Sequence, residues 1–427
     1  MNTKKFSLDE WLAYQFNIHS QSIDLGLERV AVVAQRMGIE DMPCPVITVA
    51  GTNGKGSTIA FLQSIYTAAG YQVGTYTSPH MLRYNERICI AGRECSDDIL
   101  CESFTRIERA RAEVPLSYFE FGTLAALDLF MRATALDVVL LEVGLGGRLD
   151  AVNIIDPDVA VVTSISLDHT DWLGEDIESI GYEKAGIFRT NVPAIFGNRN
   201  LPRSIADHAR SLSAPLYVLG QQFDYQCEKS SWSWQSQKQS AKTLPPPGLF
   251  GPVQYQNAAT ALMVVELLES QLKVTSEEQS QGLGKASLTG RYQHVPGAIE
   301  TLLDIAHNED SAKQLAHSLS TTFCKGKTHL VLGMLADKDI ARVVENLSEV
   351  VDYWYLCGLH VDRGALIARL KTDFTAVLPK TKAQTFNDVT AAYAAAETAA
   401  DSLDRIVVCG SSYTVAAFLT EHGNRIN

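Results

Sequence analysis

Val46 to Thr58 run VITVAGTNGKGST, an apolar stretch that breaks into a loop of glycine, lysine and hydroxyl residues before a helix-forming run, IAFLQSIYTAAG. The apolar stretch suits a strand buried on both faces, and the change of character at Gly51 ends it. In the loop, glycine lets backbone N–H groups wrap a phosphate, Lys55 supplies a cation to the β and γ oxygens, and Ser57 can place its hydroxyl on Mg2+. Thr52, Asn53, Gly54, Lys55, Gly56 and Ser57 are therefore the expected nucleotide loop, with the phosphates at the N-terminus of the next helix. The pattern is shorter than G-x-x-x-x-G-K-[ST], and Gly56 stands between the lysine and the serine. An ordinary glycine-rich turn with a surface lysine is the alternative, and a strand before and a helix after make it the weaker one.

Outward from the loop the same alternation repeats. As far as Gly197, the runs QVGTYTS, DVVLLEVGL, DVAVVTSI and VPAIFG recur between helical patterns, which predicts an α/β N-terminal domain: a doubly wound parallel sheet carrying a P-loop. Residues 216–240, with the alternating FDYQCE and SWSWQSQ, predict a hairpin or meander with one solvated face. After Pro245–Gly248, apolar residues at helical period in NAATALMVVELLES predict a helix over 256–270. A second βα series begins near Ile299: ETLLDIAHN, a helix over 311–320, THLVLGML, a helix after Asp339, and RIVVCGSSYTVAAFL. This is a smaller Rossmann-like C-terminal domain. The glycine- and proline-punctuated residues 290–297 are the expected boundary, giving domains 1–296 and 297–427, and a chain of 427 residues is too long for one core in any case.

Composition narrows the partners. With 36 basic against 49 acidic residues, a net charge of −13, the chain's field repels phosphodiester backbones and anionic membranes, so neither nucleic acid nor membrane is expected. Small anionic substrates must then be held by a local positive or metal-bearing site. The eight cysteines are scattered without a C-x-x-C pair and are expected to be reduced thiols. MNTKKFSLDEWLAYQ lacks an apolar run of signal-peptide length, and no run has transmembrane length. A soluble, cytoplasmic monomer is the expectation. Glu142 closes DVVLLE and His169 closes DVAVVTSISLDH, which puts both at the C-terminal edge of neighbouring strands, where α/β sheets bind ligands. The alternatives are an ion pair of Glu142 with Arg148 and a loop histidine capped beside Asp168.

GTNGKGS resembles the Mur ligase superfamily, and TSPHMLRYNER, LEVGLGGRLDAVN, SISLDHTDWLG and EKAGIF narrow the likeness to the folylpolyglutamate synthase/dihydrofolate synthase family, bifunctional bacterial type. QNAATAL, LTGRYQ, LDIAHN, GMLADKD and CGSSYTVA follow in that family's order, so the resemblance spans most of the chain. It implies an ATP-dependent ligase that adds L-glutamate to dihydropteroate and to reduced folates through an acyl-phosphate. It implies Mg2+ at two sites, one on Ser57 and one on Ser78, Glu142 and His169, because phosphoryl transfer to a carboxylate needs strong charge neutralisation. It implies ATP contacts from Asn257, Arg291, Asp304 and His307, hence a nucleotide between the domains, and a carbamylated Lys184 that serves catalysis with Lys55 and His169. For the pterin it implies three segments: Asp24, Leu25, Gly26 and Leu27; Ser117, Tyr118, Phe119 and Glu120; and Leu149, Asp150 and Ala151. Phe119 and Phe121 offer faces for stacking, and Asp24, Glu120 and Asp150 offer acceptors for ring and amino N–H groups.

The residues alone leave plainer readings open: a surface Lys184 paired with Glu183, and aromatic side chains packed in the core. The sequence departs from the family at Asp304-Ile305-Ala306-His307-Asn308-Glu309, at Asp362-Arg363-Gly364-Ala365 and at Thr289, which bears on loop geometry where glutamate would bind. A Mur-type cell-wall ligase and a non-catalytic nucleotide-binding protein are the competing classes. TSPH and DHTDWLG argue against the first, and the acidic and histidine groups at strand ends against the second.

Overall fold

The computed structural model describes residues 6–18, 24–228, 231–240, 242–361 and 363–423; Asp362 lies outside them. Two compact units divide the chain: Met1–Gly248 with Tyr255–Ser287, and Leu249–Gln254 with Leu288–Asn427.

The first unit is built on β1 (Val46–Ala50), β2 (Val73–Tyr76), β3 (Ile88–Ile90), β4 (Arg93–Glu94), β5 (Val138–Glu142), β6 (Val159–Val162), β7 (Ala194–Phe196) and β8 (Leu216–Val218). They form one sheet in the order β4-β3-β2-β5-β1-β6-β7-β8. From β2 to β8 neighbours are parallel, and β3 and β4 add an antiparallel edge that apolar runs alone did not announce. Every residue of β1, β2, β5, β6 and β7 is buried, the signature of strands covered by helices on both faces. The chain leaves β1 toward β2 on one side and crosses from β5 to β6 on the other, so the carboxyl edge around β1 is a topological switch point.

Of residues 216–240, β8 joins this sheet, while β9 (Phe223–Cys227), β10 (Trp232–Ser236) and β11 (Lys242–Leu244) make the expected meander. Trp232 and Trp234 share its buried face, and their indole N–H groups donate to the carbonyls of Pro245 (2.7 Å) and Ala259 (3.1 Å). The helix expected from residue 256 spans Val253–Leu267, one turn earlier.

The second unit holds β12 (Gln293–Val295), β13 (Glu300–Asp304), β14 (Thr328–Leu332), β15 (Tyr353–Cys357), β16 (Ala383–Phe386) and β17 (Arg405–Cys409), in the order β12-β13-β17-β14-β15-β16. All but β12 run parallel. Residues 290–297 are thus not a bare linker: β12 lies within them, antiparallel to β13. The helices expected over 311–320 and after Asp339 appear as Glu309–Thr321 and Ile340–Leu347, and RIVVCGSSYTVAAFL runs into a third, Ser412–His422; each is begun by a side-chain cap, from Asn308, Asp339 or Ser411.

Candidate active site

The phosphate loop leaves β1 and turns into the helix Lys55–Ala68. Gly54 precedes that helix at φ +88°, and a Cβ there would also lie 2.6 Å from Asn257 Oδ1, so glycine is required twice over and Asn257 stands against the loop. No side chain caps the helix, leaving its first N–H groups for an anion. Thr52 and Asn53 spend their polar groups on the segment after β6. Thr52 N–H donates to Ser164 O (2.8 Å), Ser166 N–H to Thr52 Oγ1 (3.1 Å), and Thr163 Oγ1–H to Asn53 O (2.6 Å). They hold the loop's shape before any nucleotide arrives. Ser57 is buried on the first turn.

Two lysines meet at one carbonyl. Lys55 Nζ donates to Gly51 O at 2.9 Å and to Thr52 O at 3.2 Å, and Lys184 Nζ donates to Gly51 O at 3.1 Å. Lys184 is buried, so the surface pair with Glu183 does not form; Glu183 binds Arg148 instead, at 2.8 Å. Burial first, and then the Lys55 charge, draw the Lys184 amine down to about 7, against the pull of Asp168 and Asp150. The same Arg148 pairing leaves Glu142 without that proposed structural partner.

Glu142 ends β5, buried, and its Oε2 accepts the Ser78 N–H at 3.0 Å, just before the cis Ser78–Pro79 bond. His169 does not end a strand: β6 stops at Val162, and His169 follows a loop at φ +52°, heading the turn Thr170–Leu173. Nor are the two strands neighbours, since β5 and β6 flank β1. His169 nevertheless shares a cavity with Ser78.

That cavity, about 250 Å³, is lined by Asp24, Leu25 and Gly26, by Ser117, Tyr118, Phe119 and Glu120, by Leu149, Asp150 and Ala151, and by Ser78 and His169. Three sequence-remote segments therefore converge where the sequence grouped them. Leu27 does not line it and instead precedes the helix Glu28–Met37. Phe121 is a correction: it is fully buried against Phe104 (5.7 Å) and Trp11 (6.3 Å) and offers no face to a ligand. Phe119 does line the cavity, packed over Gly144, where a Cβ would meet its ring at 2.6 Å.

The cavity's acids are largely engaged. Asp150 accepts N–H groups of Gly144 (3.0 Å), Leu145 (2.8 Å) and Val152 (3.0 Å), and burial still pushes its carboxyl up to about 6. Glu120 Oε2 accepts its own helix-capping Ser117 N–H (2.7 Å), while Oε1 takes Arg29 (3.1 Å), which also pairs with Asp24 at 2.7 Å. Sequence reasoning missed Arg29 and Arg87, although Arg87 closes the quoted TSPHMLRYNER and Arg29 stands two residues after Leu27. Arg87 lines the cavity, and its Nε donates to His80 Nδ1 at 2.8 Å. Burial, then the Arg87 charge, lower His80 to about 4, which keeps that nitrogen an acceptor.

In the second unit Asp304 ends β13 and accepts the N–H groups of Tyr292 (2.9 Å) and Ala306 (2.8 Å). Burial raises its carboxyl, and Arg291 and His307 stand close enough to oppose that. His307 Nδ1 meets Ile305 O at 2.8 Å. Among the described residues no three His, Cys, Asp or Glu side chains converge as a preformed metal cluster.

Residues 49–265 match the Mur ligase middle domain and residues 290–412 the Mur ligase glutamate ligase domain. The chain is 47% identical to the dihydrofolate synthase/folylpolyglutamate synthase of Escherichia coli K12, over 96% of this chain and 94% of that protein. It is 39% identical to the Haemophilus influenzae protein of the same name, covering 96% of each. E. coli FolC in complex with DHPP and ADP superposes with a TM-score of 0.93 at 45% identity, covering 99% of both chains. A bifunctional folylpolyglutamate synthase/dihydrofolate synthase with Mn, AMPPNP and L-glutamate bound superposes at 0.89, with 46% identity and 98% of both chains covered.

Proposed function

The chain belongs to the dihydrofolate synthase/folylpolyglutamate synthase family, and from that membership we propose how its own residues divide the work of the ligase. It is an ATP-dependent acid–amino-acid ligase that adds L-glutamate to dihydropteroate and to reduced folates through an acyl-phosphate. The reading of the site rests on one observation: residues 24–26, 117–120 and 149–151 converge on a single cavity that also reaches Ser78 and His169. Its volume of about 250 Å³ is near the lower end of ligand pockets and suits a bicyclic ring rather than a UDP-linked peptide, which argues against a cell-wall substrate.

In this reading the pterin enters between Phe119 and the loop at Leu149–Ala151. Its ring and amino N–H groups meet the acceptor sites that Asp24, Glu120 and Asp150 have left after their own hydrogen bonds. The carboxylate end points to Ser78, Glu142 and His169. A buried carboxylate, a hydroxyl and an imidazole form a small, oxygen-rich donor set, which fits a hard divalent cation that keeps water and phosphate oxygens as further ligands. Mg2+ held there, and on Ser57, supplies the positive charge that lets an anionic carboxylate approach the γ-phosphate.

Lys55 and the open N–H groups of its helix bind the phosphates; Asn257, and in the second unit Arg291, Asp304 and His307, are assigned to the nucleotide. Lys184 is assigned as a carbamate. Its amine adds to CO2 only when unprotonated, forming the N–C bond and releasing a proton, and burial beside Lys55 favours that state. The anion formed would turn the repulsion between the two lysines into attraction. The domain at the C-terminus is assigned to glutamate, and the protein to the cytoplasm as a monomer; eight unpaired cysteines accord with a reducing compartment. ADP release is measured with dihydropteroate and with tetrahydrofolate, each with and without glutamate. Glutamate-dependent release with both acids is expected, and none above background with either overturns the reading. Sedimentation velocity checks the monomer.

A further inference from the structure

We propose that Arg87 receives the carboxylate of the pteridine acid, a substrate-binding role for the only lysine or arginine among the described residues lining the cavity. The inference rests on the ligase reading above. Arg87 is 8% exposed and closes the short turn Tyr84–Arg87. Its Nε donates to His80 Nδ1, and its guanidinium lies 5.4 Å from the centre of the Tyr84 ring and 5.5 Å from that of Tyr118. These partners hold the guanidinium in place, and none of them carries a negative charge. Among the described residues no carboxylate pairs with it. Arg29, whose partners Asp24 and Glu120 line the same cavity, has two.

A guanidinium taken out of water without a counter-ion is unfavourable, so the anion that offsets it is expected to come with the ligand. Position says which end of the ligand carries it. The Thr77 N–H donates to the Arg87 carbonyl at 2.9 Å, so Arg87 stands beside Ser78, whose own N–H holds Glu142. The acid that must meet the γ-phosphate is therefore the group brought next to Arg87, while Asp24, Glu120 and Asp150 suit the N–H groups of the ring. The planar fork of arginine matches a carboxylate with two parallel N–H donors, and the flanking rings preset its plane.

The test compares binding of dihydropteroate with binding of the same dihydropterin bearing aniline in place of 4-aminobenzoate, by calorimetric titration. Wild-type protein, Arg87→Met and Arg87→Lys are used, each checked by thermal melting. Arg87→Met should weaken the acid about 10- to 100-fold and the aniline analogue little, with KM for ATP and for glutamate unchanged. Arg87→Lys should fall between, keeping the charge without the fork, and it carries the comparison if the methionine variant does not fold. Equal loss for both pteridines would mean that Arg87 only builds the wall, and a loss confined to ATP or glutamate would place another anion there; either result overturns the proposal. Wild-type protein that binds neither pteridine and releases no ADP removes the ligase reading itself, and the proposal with it.

Discussion

At the scale of single residues, the contacts separate groups that share a motif. SYFEF offers two phenylalanines, yet the helical step sends Phe119 to the cavity and Phe121 to the core. Gly144 makes the first placement possible. Gly144→Ala drives a methyl into the Phe119 ring, an overpacking that costs about 1–3 kcal/mol. KM for both pteridine acids should rise roughly 10-fold in steady-state assays while KM for ATP stays put; an unchanged pteridine KM would take Phe119 out of the site. Lys184 predicts a pH dependence. An unfolded lysine titrates at 10.5 and this one at about 7, so between those values the unfolded chain binds more protons and stability rises with pH. In CO2-free buffer the unfolding free energy of wild type, from urea titration, should gain on that of Lys184→Met between pH 7 and 9.5, by about a few kcal/mol. Parallel curves would show an amine that is not held down by its surroundings. This burial was not legible in EKAG, where a lysine beside a glutamate reads as solvated. It arises because the loop after β5 docks on the helix Ile177–Ala185, Gly147 lying against the Glu183 and Lys184 carbonyls.

At the scale of elements, the apolar runs announced strands well where both faces are covered, as in VITVA and DVVLLE, because burial there demands an unbroken apolar string. They missed β4 and β16, whose residues are charged, polar or partly exposed edges with no such demand, and also β15, which is buried from Trp354 to Cys357 but short and rich in aromatic residues. They also extended the strand before His169, since DVAVVTSI reads as one unbroken run; hydrogen bonds to Thr52 and Asn53 turn its end into a loop instead. Helix packing was equally invisible. The helix Lys55–Ala68 lies against Ser276–Lys285 so closely that a Cβ on Gly282 would clash with the Ile65 backbone, and Ser64 Oγ donates to Gly282 O at 2.7 Å. Gly282→Val must push the two helices apart, costing about 1–3 kcal/mol or more, since the obstacle is main chain. A lower melting temperature with weakened ATP binding is expected, because the displaced helix begins at the phosphate loop. Weaker melting with unaltered ATP affinity would mean that the helix yields without moving its N-terminus.

At the scale of the whole molecule, two units have separate hydrophobic cores. One core gathers Phe104, Phe121, Leu124 and Val139, another Val162, Phe188 and Phe196, and both belong to the first unit. The second unit has its own, around Leu330, Leu356, Phe374 and Val407. A chain so built need not unfold in one step, and calorimetry should resolve more than one transition. Mg-ATP stabilises the protein by about 2.7 kcal/mol at a hundredfold excess over Kd, and the transition it raises most identifies the unit that holds the phosphates. The phosphate loop predicts the first. Lys55→Ala should abolish that shift, because its side chain is part of the cradle. Glu142→Ala should keep most of the shift and lose turnover, since the role proposed for this carboxylate, holding the cation at the γ-phosphate, is separate from the hold over the nucleotide. The two variants therefore dissociate binding from chemistry. If Glu142→Ala instead turned over normally, the carboxylate at that strand end would be structural, and the cation would have to be sought elsewhere along the carboxyl edge.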